Sequence, residues 1–184
     1  MKIAICGKMA SGKTTVADHL SLDGFTVVSM AGEVKRVGRE LFGMKIGEKN
    51  RPLLQQIGMK MREIRESVWL DCLIRESEEH ELVVCDDVRF VNEAHTLKEH
   101  GWTLIKLVIS DDLQKQRLQD TYGEDWEAHW NNRTDASETE VDKISLDIFD
   151  LVVPAANDFS VQKSVQSLLG QGSNATNEPS ARSP

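Results

Sequence analysis

The segment Gly7-Lys8-Met9-Ala10-Ser11-Gly12-Lys13-Thr14 constrains this chain more than any other feature. It fills every fixed position of G-x-x-x-x-G-K-[ST]. The short apolar run Ile3-Ala4-Ile5 precedes it, and a helical pattern over about 13–20 follows. In such a turn Gly7 and Gly12 let the backbone curl until successive N–H groups point inward at an anion. The helix beginning near Lys13 aims the positive end of its dipole at the same point. Gly7, Ala10, Ser11, Gly12, Lys13, Thr14 and Thr15 are therefore expected to hold the phosphates of a nucleotide such as ATP. Lys13 would span the β- and γ-phosphates, and the Thr14 hydroxyl would hold Mg²⁺.

The remaining pattern alternates strands and helices. Residues 25–28 read as a second strand and 31–42 as a helix closed by Gly43. A long helix is expected from about 52 towards 79, with Pro52 in its first turn and Leu54, Ile57, Met61, Ile64, Val68 and Cys72 at helical spacing. Further strands are expected at 82–85, 104–109 and 151–153, and further helices at 92–99, after a cap at Asp111, and at 160–169. Ser137-x-x-Glu140 has the form of a capping box. This alternation predicts an α/β fold with a five-stranded parallel sheet flanked by helices. Beyond Gly170 the sequence has almost no apolar residue, and 170–184 is expected to be a disordered tail.

Composition narrows the class. The chain has 184 residues, 40% hydrophobic and 28% charged, enough for one domain and too few for a motor with a separate power-stroke domain. No apolar run approaches the ~18 residues of a membrane span, and the first residues lack the apolar stretch of a signal peptide. Three cysteines without C-x-x-C spacing fit a reducing cytoplasm better than a disulfide framework or zinc site. A formal net charge of −8 disfavours a polyanion-coating protein. Residues 30–75 nevertheless carry ten Lys/Arg against six Asp/Glu, whereas 76–184 carry nine against twenty-two. A basic segment in an acidic chain points to a local anion site.

An acidic residue at the end of a neighbouring strand is expected to assist the metal, and Asp86-Asp87 supplies two candidates. Asp86 is preferred because it directly follows the apolar run Leu82-Val83-Val84-Cys85. Phosphoryl transfer spreads negative charge over the transferred group, so movable cations are the next requirement. Arg36, Arg39, Arg62, Arg65, Arg89, Arg117 and Arg133 stand at the openings of predicted elements.

In order along the chain stand Gly7–Thr14, Ser29-Met30-Ala31-Gly32-Glu33-Val34-Lys35, and Leu41-Phe42-Gly43. Then come Arg51-Pro52-Leu53-Leu54-Gln55-Gln56-Ile57-Gly58 with Arg62 and Trp69, and Asp87-Val88-Arg89-Phe90-Val91-Asn92-Glu93-Ala94. Ser137-Glu138-Thr139 and Asn157-Asp158 complete the set. Together these segments resemble the deoxynucleoside monophosphate kinases encoded by tailed phages, over about 1–169. The resemblance implies a P-loop, adenylate-kinase-like domain over 1–169, with an acceptor-binding insertion at about 30–80 and a small lid at about 118–136. It implies ATP and Mg²⁺ as cofactors, Thr14 and Asp86 at the metal, and a deoxynucleoside monophosphate as acceptor. Arg62 and Arg89 match positions in the family's motifs and Lys35 a basic position of its acceptor helix, so these would serve the acceptor, and Arg36 and Arg65 on the same basic segment are expected to join them. Lys13, Asp86, Arg89, Arg117 and Arg133 would serve catalysis, and Glu93 would support them from behind. A homodimer and a host-cytoplasmic location are compatible with it. Gly32-Glu33, Met59 and Asp135-Ala136 depart from the family's usual residues on the acceptor side and lid, where base choice is made.

Two further readings stand beside this one. A related P-loop kinase could phosphorylate a hydroxyl, either of a hydroxymethylated pyrimidine in phage DNA or of a small metabolite, with Asp86 or Asp87 as base. A nucleotide-binding regulator without turnover is the third, against which Lys13, Thr14 and Asp86 are all intact.

Overall fold

Strand β1 (Lys2–Gly7) occupies the centre of the sheet because its side chains are apolar on both faces, and Ile3 through Gly7 are buried. In a computed structural model, which describes residues 1–48, 50–134, 136–156 and 158–174, five parallel strands run in the order β2-β3-β1-β4-β5. The others are β2 (Thr26–Val28), β3 (Val83–Val88), β4 (Thr103–Val108) and β5 (Leu151–Pro154). The expected α/β class and five-stranded parallel sheet are thus present. Strand order reverses about β1, which has β3 on one side and β4 on the other. Such a reversal opens a crevice at the carboxyl ends of the strands, where α/β sheets bind ligands.

Period-two alternation sorts the sheet's side chains into two cores. Ile3, Ile5, Val84, Ile105 and Leu107 pack on one face with Val16 and Leu20 of α1 (Lys13–Leu22) and Val161 and Val165 of α9 (Asp158–Asn174). Ala4, Cys6, Val83, Cys85 and Leu104 pack on the other. That face is covered by α2 (Met30–Phe42), α3 (Arg51–Ile64), α4 (Val68–Ser77), α5 (Val91–Glu99) and α8 (Ala136–Lys143). Between β4 and α8 run α6 (Asp111–Tyr122) and α7 (Trp126–Asn131), each followed by a single 3-10 turn. Among the described residues no helix is long and apolar enough to cross a membrane, and the three cysteines are free thiols.

Several local expectations change. The long helix from 52 towards 79 is two helices, because Arg65 adopts extended backbone (φ −150°, ψ 111°) after α3. A straight continuation of α3 would carry Trp69, Leu70 and Leu73 away from the sheet. The break lets α4 bury all three, while Ile64, in phase with the apolar stripe, is left 80% exposed. Trp69 closes the corner by donating its indole N–H to the Gly58 carbonyl of α3 at 3.1 Å.

Strand β3 runs on through Asp86 and Asp87 to Val88. Its pairing with β1 shifts from Ala4↔Cys85 to Cys6↔Val88, so one extra β3 residue is accommodated as a bulge. Ser110, not Asp111, caps α6, its hydroxyl accepting from Leu113 N–H at 3.4 Å. Ser137 lies inside α8 and does not open it. The last helix passes Gly170, which shows no positive φ, and reaches Asn174. One glycine weakens a helix without ending it, so the start of the expected disordered tail is helical, and 175–184 lie outside the described residues.

Trp69 is 3% exposed and fills the junction of α3, α4 and the sheet. Trp69→Ala is expected to lower unfolding free energy by about 3–5 kcal/mol. Trp69→Phe, which keeps most of the packing and loses the bond to Gly58, should cost about 1 kcal/mol beyond its lost volume. Urea titration followed by far-UV circular dichroism measures both.

Candidate active site

The loop between β1 and α1 has the geometry its sequence requires. Gly12 takes φ 93°, and Ala10, at φ 62°, is the one non-glycine residue with positive φ among the described residues. A Cβ on Gly7 would lie 2.6 Å from Ser11 Oγ and 2.8 Å from the Leu107 carbonyl oxygen, so no side chain fits there. Gly12 offers no side-chain cap to α1 and the first turn holds no acidic residue, leaving its N–H groups available to an anion. Ser11 Oγ is buried without a hydrogen-bond partner.

Lys13 folds over the loop, its ammonium donating to the Gly7 carbonyl at 2.7 Å and the Lys8 carbonyl at 2.9 Å. Burial, reinforced by the Arg89 guanidinium, pulls its pKa down to about 8. Thr14 Oγ1 donates to Asp86 Oδ2 at 2.7 Å. A hydroxyl and a carboxylate at that spacing are hard oxygen donors that suit Mg²⁺, which takes few protein ligands and keeps waters or phosphate oxygens. A cavity of about 430 Å³ opens beside the loop, lined by Ala10, Gly12, Lys13, Thr14, Thr15, Arg117, Asp120 and Thr121. Two α6 residues hold the loop's outer turn, Gln114 donating to the Met9 carbonyl (2.9 Å) and Arg117 to the Ala10 carbonyl (3.1 Å).

The neighbouring aspartates of β3 leave the strand on different sides and meet different partners. Asp86 faces Thr14. Asp87 accepts from Ser29 Oγ (2.8 Å), Ala31 N–H (2.9 Å) and the Cys85 thiol (3.0 Å), which ties the start of α2 to the sheet. Beside Asp87 lies a second cavity of about 640 Å³, with Met30, Val34, Leu54, Trp69 and Phe90 among its apolar walls and Lys35, Arg62, Arg89 and Glu93 among its charged ones. Arg62 sits 5.7 Å from the Phe90 ring centre and 3.7 Å from Glu93 Oε1. Glu93 Oε2 accepts from the Arg89 and Phe90 N–H groups at 2.9 and 3.1 Å. Burial pushes the Glu93 carboxyl up, while those two N–H groups and Arg62 hold it down.

The loop residues from Ala10 to Thr15, Asp86 and Arg117 thus converge on one side, and Lys35, Arg62 and Arg89 on the other. Three expected residues stand elsewhere. Arg36 is held outside the cavity by Glu33 at 2.9 Å and Glu40 at 2.7 Å, its i−3 and i+4 neighbours on α2, because one helical step from Lys35 turns it to the solvent face. Arg65 pairs with Asp71 at 2.7 Å, following the extended backbone that ends α3. Arg133 stacks on Trp130, 4.2 Å from the ring centre, and lines neither cavity.

In the sequence Glu138 stands only within the segment Ser137-Glu138-Thr139, with no task of its own. Its carboxylate is 4% exposed and accepts from Met9 N–H and from Arg89 Nη1, both at 2.7 Å. The Ser137-Glu138 pair marked the place, but no spacing relates residue 138 to residues 9 and 89. Gln114 had no local signal at all.

Sheet order, loop and two flanking cavities define a P-loop kinase fold. The family model for the AAA domain matches residues 3–140, and the chain belongs to that family. No curated protein matches the sequence. Among solved structures, shikimate kinase from Acinetobacter baumannii, in complex with shikimate, is similar at 20% identity and TM-score 0.59, covering 96% of this chain and 95% of that one. Shikimate kinase from Aquifex aeolicus is similar at 20% identity and TM-score 0.54, over 97% and 100% of the two chains. Dephospho-CoA kinase from Campylobacter jejuni is similar at 18% identity and TM-score 0.52, over 96% and 100%.

The low Lys13 pKa has a direct consequence. Binding a phosphate favours the charged ammonium, so nucleotide affinity should be flat below about pH 8 and weaken above it, approaching tenfold per pH unit. An ordinary lysine would hold affinity flat to about pH 10. Calorimetric titration of ATP between pH 6.5 and 9.5 tests this, and Lys13→Arg should abolish the bend.

Proposed function

We propose that this protein transfers the γ-phosphoryl group of ATP to the phosphate of a nucleoside monophosphate, a deoxynucleoside monophosphate by its sequence resemblance. The observation that carries the reading is the second cavity. Lys35, Arg62 and Arg89 line it together, while Asp87, the strand-end carboxylate beside it, is engaged by three donors. A phosphate acceptor needs cations and no base, since its attacking oxygen is already ionised. Its two charges suit convergent guanidiniums, and the apolar walls suit a base and sugar.

In this reading the loop N–H groups and Lys13 hold the donor phosphates. Lys13 leaves the Gly7 and Lys8 carbonyls to do so, at little cost because the phosphate replaces both partners. Thr14 and Asp86 would hold Mg²⁺, which neutralises charge on the phosphate oxygens. Arg89 stands beside both the loop lysine and the acceptor cavity, placed to meet the charge that develops between them. Arg117 would guard the mouth of the donor cavity.

A second reading is favoured by the comparisons. The similar structures include kinases named for shikimate, dephospho-CoA and gluconate, compounds that all carry hydroxyl groups. Hydroxyl transfer needs a base. Asp86 is tied to Thr14 and Asp87 is occupied by three donors, which leaves Glu93, whose burial raises its proton affinity, as a further candidate. Duplex DNA as acceptor is disfavoured by the acidic stretch from Glu76 onward.

Labelled γ-phosphate from ATP should pass to free deoxynucleoside monophosphates, and not to hydroxy acids, sugar acids or DNA containing hydroxymethylated pyrimidines. Label in the hydroxyl compounds alone would replace the first reading by the second. Arg62→Ala should raise acceptor KM by about tenfold to a hundredfold and leave ATP KM within about threefold. Lys13→Ala should lower turnover by about three orders of magnitude, matching about 4 kcal/mol of lost charge stabilisation.

A further inference from the structure

Glu138 is a buried carboxylate to which the proposed phosphotransfer assigns no task, and its surroundings supply one. Its two oxygens divide between the two halves of the site. Oε2 accepts from Met9 N–H in the phosphate loop, and Oε1 accepts from Arg89 Nη1, whose side chain lines the acceptor cavity. One turn further along α8, Asp142 pairs with the loop's Lys8 at 2.9 Å. Helix α8 is in turn fixed to the sheet by Lys106 of β4, whose buried ammonium donates to the Val141 carbonyl at 3.1 Å. A rigid path therefore runs from the central sheet through α8 to Glu138, and from there to both the donor loop and the acceptor arginine.

The chemistry of arginine makes this path useful. A guanidinium has five N–H donors in a planar fork. Among the described residues one of its nitrogens, Nη1, bonds to Glu138, and the others have no hydrogen-bond partner. A long side chain held at one corner by a buried carboxylate loses its rotational freedom while keeping donors for an incoming oxyanion. Resting on the phosphotransfer reading above, we propose that Glu138 is a positioning residue that holds the Arg89 guanidinium at the junction of the phosphate loop and the acceptor cavity, ready for the transferring phosphoryl group.

A second consequence is electrostatic. The charged and titratable groups acting on Lys13 are Arg89, which lowers its proton affinity, and Glu138, Asp86 and the Cys6 thiol, which act in the opposite direction. The thiol is itself pushed up to about 11 by burial, so it is neutral at working pH. Glu138 thus offsets the repulsion between two cations that must both face the same phosphoryl group.

Glu138→Gln keeps the size of the side chain and an acceptor for Met9 N–H, and removes the charge that holds Arg89. Its turnover should fall about tenfold to a hundredfold, with both KM values within about threefold of wild type. Glu138→Asp, which keeps the charge one methylene short, should recover part of that loss. In the Arg89→Ala background, Glu138→Gln should add less than a twofold further loss, because the residue acts through Arg89.

Order of the Arg89 side chain, read from ¹⁵N relaxation of its Nε–H group without acceptor, should fall in Glu138→Gln, which removes the charged partner of Nη1. This measurement stands even if no acceptor supports transfer, which would overturn the kinase reading alone. Additive losses in the double variant would overturn the positioning role. So would an Arg89 side chain as ordered in Glu138→Gln as in wild type, or a fall in thermal stability with KM and kcat shifted together.

Discussion

The phosphate loop faces a conflicting demand on which the rest of the structure depends. Its N–H groups must stay unpaired to receive an anion, yet the loop must keep one shape without the hydrogen bonds that normally fix backbone. The grips therefore come from outside. Lys13 covers the Gly7 and Lys8 carbonyls, Gln114 and Arg117 take the Met9 and Ala10 carbonyls, and Thr14 is tied to Asp86. Met9 N–H is held in turn by the buried Glu138 carboxylate. The strain at Ala10 persists because these contacts over-determine the turn.

Two aspartates at the end of β3 extend that scaffold in opposite directions. A regular strand would alternate their faces, and the bulge against β1 adjusts the angle at which each leaves the sheet. Asp86 joins the donor side. Asp87 gathers Ser29, Ala31 and Cys85, and so sets where α2 begins. The second cavity is then walled by α2 and α3, with the Trp69–Gly58 bond setting the corner between α3 and α4. The loop cavity and the second cavity share one origin in the sheet, which keeps their separation fixed.

Charge is used locally. The chain carries a net −8, and its basic stretch at 30–75 delivers Lys35 and Arg62 to the cavity while Arg36 and Arg65 pair on the helix surfaces. The positive excess counted along the segment therefore overstates the cations at the site. Arg89, from the acidic part of the chain, contributes more to the junction than either surface arginine, because its buried partner Glu138 fixes it there.

Local chemistry alone determined the loop, the strand before it, the helix after it and the parallel alternation of elements. Each rests on neighbours in sequence: the Gly7 and Gly12 spacing, the apolar runs of the strands, the αL stop at Gly43. The same locality places Lys13 and Thr14 at the start of α1 and Asp86 within β3. Tertiary structure decided what locality cannot carry. The apolar stripe from Leu54 to Cys72 stays in helical phase through Arg65, so only the sheet, by drawing in Trp69, Leu70 and Leu73, imposes the break. Which arginines face the second cavity depends on helix rotation and on competing carboxylates one turn away. Glu138 meets Met9 across 129 residues and Arg89 across 49, a juxtaposition made by parallel crossovers and α8 packing rather than by any spacing in the chain.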